Sequence, residues 1–469
     1  MDKNFKLLIN GQLVSGDMSM PVINPATGAE FAQSPRASQK QLDEAVRAAK
    51  AAFPAWSLRP IGERRELLLS LASEMERRAP EFAALLTKEQ GKPSNQAMFE
   101  CLGCAYIARG ISQFTIESSV LQDDETKRVV EYRQPLGVVA AITPWNFPLI
   151  LLFNKLAPAL LAGNTLVIKP APTTPLTSLL LGEVCADIFP RGVVNVIADA
   201  NDLGAALTQH PDVAKIAFTG STATGMKVMS SAASGIKRVT LELGGNDAAL
   251  VLEDADVAET ARKVFDGAML NAGQICVAIK RVYVPDEMYD AFCAELARLA
   301  IEMVVGDGDA PATQLGPIQN RAQFEKLCDL LAVSRREGNV IAGGEPLARA
   351  GYFIPPTIVR DIPDSAEIVQ EEQFGPILPV LKYSDVSDAI RRINESKYGL
   401  GATVWGKSVA RAEAVALCID SGSIWVNKHM DIAPNLPFRG FKQSGLGAEL
   451  GQAGLDEYTQ AKVVNVARG

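Results

Sequence analysis

The chain has 469 residues, 48% apolar and 21% charged, with a formal net charge of −8. That length exceeds one ordinary core and predicts two or three domains, and the acidic balance excludes a basic nucleic-acid-binding face. Seven scattered cysteines and only two histidines argue against a disulfide framework and a histidine-rich metal centre, so a reduced, cytoplasmic protein with no bound metal is expected. Met1-Asp2-Lys3-Asn4-Phe5 has no basic stretch leading into an apolar run, so no secretory signal is expected. The apolar segment 149–161 is interrupted by Asn154 and Lys155 and is too short to span a bilayer.

In chain order, Leu7-Leu8-Ile9 followed by Asn10-Gly11 predicts a hairpin. Ser38 is the expected N-cap of a helix with Ala45, Ala48, Ala49, Ala52 and Phe53 on one face. Helices follow over 61–78, 80–89 and 94–117, with Gly91-Lys92-Pro93 stopping the second. Cys101 and Cys104 sit in the last of these without a second ligand pair and are taken as two helical cysteines. The polar run 121–127 and a strand at 129–133 predict a projecting hairpin, whose edge suits pairing between subunits. Apolar strands at 137–143, 165–169, 193–197, 215–219 and 238–243 then alternate with helices at 147–162, 176–189, 202–209 and 222–233. Such alternation means a buried parallel sheet that binds ligands at the carboxyl ends of its strands. A second α/β unit begins near 244, with strands at 248–252, 281–284, 340–342, 377–383, 401–405 and 423–427. Its helices are expected at 287–303, 324–337, 385–396 and 410–419, and 458–466 forms a strand-like tail.

Two stretches carry candidate chemistry. Asn271-Ala272-Gly273-Gln274-Ile275-Cys276-Val277 ends a helix-like segment at a glycine and then presents a cysteine. Leu241-Glu242-Leu243-Gly244-Gly245-Asn246 sets a carboxylate at the end of an apolar strand. Cys276 is a candidate covalent nucleophile and Glu242 a candidate base. Around them, Pro144-Trp145-Asn146-Phe147-Pro148 offers an amide at a strand–helix junction, and Lys169 ends a strand of the same sheet. Phe218-Thr219-Gly220-Ser221-Thr222-Ala223-Thr224-Gly225 could bring phosphate to a helix N-terminus, although it matches neither the dinucleotide fingerprint nor a Walker loop. His210 lies in a polar turn. His429 follows an apolar strand and is the only histidine able to face a site.

Together with Glu372-Gln373-Phe374-Gly375-Pro376, Pro437-Phe438-Arg439-Gly440-Phe441-Lys442-Gln443-Ser444-Gly445 and Tyr458-Thr459-Gln460-Ala461-Lys462, these motifs run in an order and spacing that resembles the NAD(P)-dependent aldehyde dehydrogenase superfamily over essentially the whole chain. The resemblance implies an α/β fold of two Rossmann-like parallel-sheet domains plus a small β oligomerisation hairpin and tail. A dinucleotide-binding domain would span 1–117 and 135–243, a catalytic domain 244–450, and oligomerisation segments 118–134 and 451–469 of a homodimer or homotetramer. It implies oxidation of an aldehyde to an acid. Cys276 attacks, Asn146 and the Cys276 backbone N–H hold the oxyanion, Glu242 activates the deacylating water, and Glu449 relays protons. NAD, or NADP, would lie on Ile142, Thr143, Pro144, Trp145, Gly220, Leu243 and Gly244. Lys169 and Glu372 would hold the riboses, Ser221 the pyrophosphate, and Phe374 would back the nicotinamide.

The chain departs from its relatives at two places. Many NAD-preferring members carry Glu after Lys-Pro-Ala, where this chain has Pro172. Asp199 could restore the missing repulsion of a 2′-phosphate, so dual or NAD-leaning use is expected. The substrate pocket is expected to comprise Phe147, Leu151, Asn154, Ile275, Val277, His429, Ile432 and Phe438. Asn154 stands where succinic-semialdehyde enzymes carry Arg, and Lys428 and Arg439 lie near the mouth. A medium aliphatic or aromatic aldehyde fits that throat. A semialdehyde with a distal anionic group is the alternative, and a CoA-acylating reaction is disfavoured by Glu242.

Overall fold

The computed structural model describes residues 3–468. Its larger sheet has eight strands. Five central ones run parallel, from Val194–Val196 through Thr165–Lys169, Val138–Ile142 and Val213–Thr219 to Arg238–Glu242. Nearly every residue of the middle three is buried, as their unbroken apolar sequences require when helices cover both faces. The register aligns Lys169 with Ile142, Ile142 with Phe218, and Thr219 with Glu242. These residues therefore form one row along the carboxyl edge of the sheet.

The edges are not parallel. The hairpin of Leu7–Ile9 and Gln12–Val14 closes one side antiparallel, turning on Asn10 (φ 52°) and Gly11 (φ 70°), and Gly445–Leu446 closes the other beside Glu242. The second sheet has seven strands. Those from Thr357–Arg360 to Ser423–Val426 are parallel, and Asn339–Ala342 is antiparallel at one edge. Thr357–Arg360 was not expected: it is only four residues long and follows Pro355-Pro356, too short a run to show a period. A three-stranded sheet joins Ser119–Asp123, Lys127–Pro135 and the tail strand Thr459–Ala467. No helix of the described residues is long and apolar enough to cross a membrane.

Ser38 caps Gln39–Leu58 through a capping box with Gln41. Gly91 ends Ala79–Gln90 at φ 96°. The helix expected over 94–117 stops at Ile111. There the Arg65 guanidinium donates to Ser112 O at 2.5 Å and Phe114 O at 3.2 Å, which draws the chain off the helical path. The helix after Asn146 starts at Ile150 rather than 147, because Leu149 N and Ile150 N turn to the Glu100 carboxylate.

Candidate active site

The two cores meet along a cleft of about 190 Å³, lined by Pro144, Trp145, Asn146, Leu151, Thr219, Gly220, Ser221, Leu243, Gly244, Cys276 and Phe374 among others. A larger surface hollow near Glu66, Arg77 and Asp187, of about 790 Å³, is bordered by solvated charges and holds none of the candidate groups.

Cys276 sits just beyond a strained turn. Asn271, Ala272 and Gly273 have φ of 50°, 55° and 69°, three successive left-handed residues. For Ala272 this conformation costs on the order of 1–3 kcal/mol. The surroundings hold the turn in place. Asn271 Nδ2 donates to Asn146 O (3.1 Å), Gln274 Nε2 to Asn271 O (2.9 Å), and Gln319 N to Gln274 Oε1 (2.9 Å). Gly273 cannot carry a side chain, since a Cβ would lie 2.3 Å from Gly375 O. Gly245 is equally confined, with Cys276 O at 2.5 Å from its would-be Cβ. The sequence Glu-Leu-Gly-Gly is therefore what lets the nucleophile loop lie against the strand end.

Asn146 is buried and donates from Nδ2 to Gln274 O at 2.9 Å, which fixes its amide beside the Cys276 loop. Its backbone oxygen accepts from Lys92 Nζ (2.9 Å). Lys92 is itself paired with Glu100 and lies over the Phe147 ring.

Glu242 ends its strand with both carboxyl oxygens buried and without a hydrogen-bond partner among the described residues. Burial, then the Glu449 carboxylate, raises its pKa well above the ordinary value, and the Lys155 ammonium opposes them. Glu449 is held by Lys155 and by Asn154 Nδ2 at 3.2 Å, and Lys155 Nζ also donates to Thr219 Oγ1 at 2.5 Å. Lys155 was not singled out from sequence. A lysine in an otherwise apolar helix was the available signal. Asn154, expected in the substrate pocket, turns to Glu449 instead, because that buried carboxylate needs donors. Lys155→Met leaves Glu449 without its cation and should destabilise the fold by about 3–5 kcal/mol, measured by urea unfolding; a loss under about 1 kcal/mol would contradict the pairing.

Of the expected cofactor residues, Pro144, Trp145, Gly220, Ser221, Leu243, Gly244, Glu372 and Phe374 line the cleft, while Ile142, Thr143 and Lys169 lie at the strand ends outside that lining. Ser221 caps Thr222–Ala233, accepting from Thr224 N at 3.3 Å, so the helix N-terminus opens between Gly220 and Gly225. Glu372 Oε1 accepts from Gly245 N at 3.0 Å, and burial raises its pKa. Phe374 packs edge-on to Trp145 at 5.3 Å. Thr143 N donates to Lys169 O at 3.1 Å, joining the row of strand ends. Lys169 Nζ lies 2.6 Å from Asp199 Oδ1, both side chains buried.

An apolar cluster of Ile275, Val277, Ala278, Leu400 and Trp425 packs with Phe147, Met430 and Phe438 against Cys276. Trp425 and Met430 were missed from sequence, since nothing local ties them to Cys276. His429 lies edge-on to Trp425 and donates from Nε2 to Val277 O at 2.7 Å. Burial lowers its pKa to about 4, so it pins the loop as a neutral ring. Ile432 lies outside this cluster, 38% exposed.

The family model described as the aldehyde dehydrogenase family matches residues 13–464. Over 463 residues the chain is 39% identical to aldehyde dehydrogenase LUC3 of Fusarium sp, covering 98% of each protein. It is 39% identical over 456 residues to retinaldehyde dehydrogenase 3 of Homo sapiens, covering 95% of this chain and 89% of that one. The NAD+ complex structure of aldehyde dehydrogenase from Bacillus cereus superposes with a TM-score of 0.98 at 36% identity, covering 100% of this chain and 97% of that one. The chain belongs to the aldehyde dehydrogenase family and is an oxidoreductase of that family.

Proposed function

We propose that the protein oxidises a medium aliphatic or aromatic aldehyde to its acid through a thioester on Cys276. The observation that carries this reading is the meeting of Cys276 and the Asn146 amide in one cleft, with the partnerless Glu242 carboxylate buried next to the lining residue Leu243 and close enough to act on the Cys276 charge. Cys276, as thiolate, attacks the aldehyde carbon, since the thiolate is the nucleophile. The oxyanion takes hydrogen bonds from the Asn146 amide and the Cys276 backbone N–H. Glu242 takes a proton from the water that attacks the thioester carbonyl, and the acid leaves as Cys276 is released. Glu449, backed by Lys155, accepts that proton onward.

The cleft also fits a nicotinamide dinucleotide. A helix N-terminus and Ser221 face it for a pyrophosphate, with Ile142, Thr143, Pro144, Trp145, Gly220, Leu243 and Gly244 around it. Lys169 and Glu372 would hold the riboses, and Phe374, on the cleft wall with Glu372, would back the nicotinamide. A Cβ on Gly244 would come within 2.5 Å of Glu372 Oε2 and would push that carboxylate from its present place on the wall. When bound, the dinucleotide supplies the two-electron acceptor for the oxidation.

Pro172 leaves the adenosine end without the usual carboxylate, but Asp199 neutralises Lys169 at 2.6 Å. A 2′-phosphate would therefore meet a cation already paired, which favours NAD over NADP. The apolar wall of Phe147, Leu151, Ile275, Val277 and Phe438 favours bulk over a charged tail, with His429 behind it and Ile432 toward the rim. Lys428 is paired with Asp431 at 2.5 Å and so offers a distal anion little. An aldehyde panel assayed with each cofactor tests both points. Aromatic and medium aliphatic aldehydes should exceed short unbranched ones in kcat/KM by about tenfold or more, with NAD faster than NADP. Preference for short aldehydes, or strict NADP dependence, would refute the corresponding half.

The three-stranded sheet exposes Val120, Leu121, Val463 and Val466. With segments 118–134 and 451–469 thus presented beside a dinucleotide domain of 1–117 and 135–243 and a catalytic domain of 244–450, a homodimer or homotetramer is the proposed assembly. A reduced, cytoplasmic setting would keep the Cys276 thiol free.

A further inference from the structure

Five lysines are almost fully buried: Lys92, Lys155, Lys169, Lys215 and Lys280. A buried ammonium is costly to fold unless an anion balances it. Four have that anion within ion-pair distance. Lys92 pairs with Glu100, Lys155 with Glu449, Lys169 with Asp199 and Lys215 with Glu457. Lys280 has no such carboxylate among the described residues. Its Nζ donates instead to Ile275 O (2.5 Å), Cys276 O (3.2 Å) and Ala278 O (3.2 Å). Three carbonyl acceptors use all three N–H donors of an ammonium. The cation is therefore fixed beneath the nucleophile loop, bound to the backbone of Cys276 itself; Asp247 and Glu372 feel its charge, but neither makes an ion pair with it.

We propose that the anion Lys280 is built to balance is the Cys276 thiolate, so that Lys280 is a positioning residue that both anchors the nucleophile loop and raises its thiolate fraction before any aldehyde arrives. The assignment rests on Cys276 as nucleophile.

The other charged groups around the thiol act the opposite way. Burial pushes the Cys276 thiol up to about 12; Lys280 pulls it down, and Glu372, Asp247 and Glu242 oppose Lys280. Each of those three is weakened as an anion by its own burial. Asp247 is raised to about 7, with Oδ2 unpartnered, and Glu372 and Glu242 are also raised. Lys280 is the one cation among the charged groups that act on the thiol. The loop anchor has a second effect: it holds the carbonyls of residues 275, 276 and 278 on Lys280 and so fixes the backbone that carries Sγ.

The test is the rate of Cys276 alkylation by iodoacetamide in the enzyme without cofactor, followed by peptide mass spectrometry from about pH 6 to 10, below the thiol midpoint, where a shift of that midpoint displaces the line of log rate against pH. The exposed Cys418 serves as internal reference. Lys280→Gln keeps an N–H donor and removes the charge. It should raise the midpoint for Cys276 by about one unit, which is a roughly tenfold slower reaction below the midpoint. Lys280→Arg should stay within about threefold, and Cys418 should not change in either variant. An unchanged Cys276 midpoint in folded Lys280→Gln would overturn the proposal. If Lys280→Gln does not fold, Lys280→Met decides: it keeps the aliphatic stem and removes the charge, so it should slow Cys276 alkylation by a similar factor, and no change would count against the proposal. Because no turnover is measured, this outcome is separate from the role of Cys276 in catalysis, which Cys276→Ala tests.

Discussion

Cys276→Ala should abolish aldehyde oxidation, lowering turnover on the order of 10⁴–10⁶-fold, while folding and dinucleotide binding persist. The variant removes the atom that forms the covalent bond and little else. The strained turn at Asn271, Ala272 and Gly273 is held by Asn146, Gln274 and Gln319, not by the thiol. The Lys280 bonds to the loop go to carbonyls and also survive. Steady-state production of reduced dinucleotide is the assay, with cofactor binding followed by fluorescence as the folding control. Substantial residual turnover would mean that another group performs the attack.

Glu242→Gln should separate the two halves of the reaction. Acylation does not need the carboxylate, so a burst of about one equivalent of reduced dinucleotide per subunit is expected, followed by a steady rate reduced about 10²–10⁴-fold. Gln is close to Glu in size, and both Glu242 oxygens lack protein partners, so the substitution breaks no hydrogen bond. The pH profile has a definite sign. Burial and Glu449 raise the Glu242 pKa, and the base works only when ionised. Wild-type deacylation should therefore increase with pH through a range above that of ordinary carboxylates, and be lost as pH falls through it. Stopped-flow absorbance reads both quantities. A variant with neither burst nor slowed steady phase would remove Glu242 from the mechanism.

The site is partly legible in the sequence. The apolar strands ending at Ile142, Lys169, Thr219 and Glu242 announce a buried parallel sheet, and their register supplies the row of strand ends. Gly245 beside Glu242, and Gly273 before Cys276, are local signals because the close approach of a second backbone at each admits only glycine. What was hidden is tertiary. Lys155 meets Glu449 across 294 residues, and Asn154 follows it there. Trp425 and Met430 reach Cys276 only once the second sheet is assembled. The early end of Ser94–Ile111 depends on Arg65, 47 residues away, and has no signature in the helix itself. Asp199 had no place in the linear reading. Its ion pair with Lys169, at 2.6 Å between two buried side chains, gives it one.

The most direct test of the central claim is to quench Glu242→Gln with aldehyde and NAD during the burst and map the adduct by peptide mass spectrometry. The account predicts an acyl group, two hydrogens lighter than the aldehyde adduct, on the peptide containing Cys276 and on no other cysteine. An unmodified Cys276 during active dinucleotide reduction, or acylation at a different residue, would contradict it.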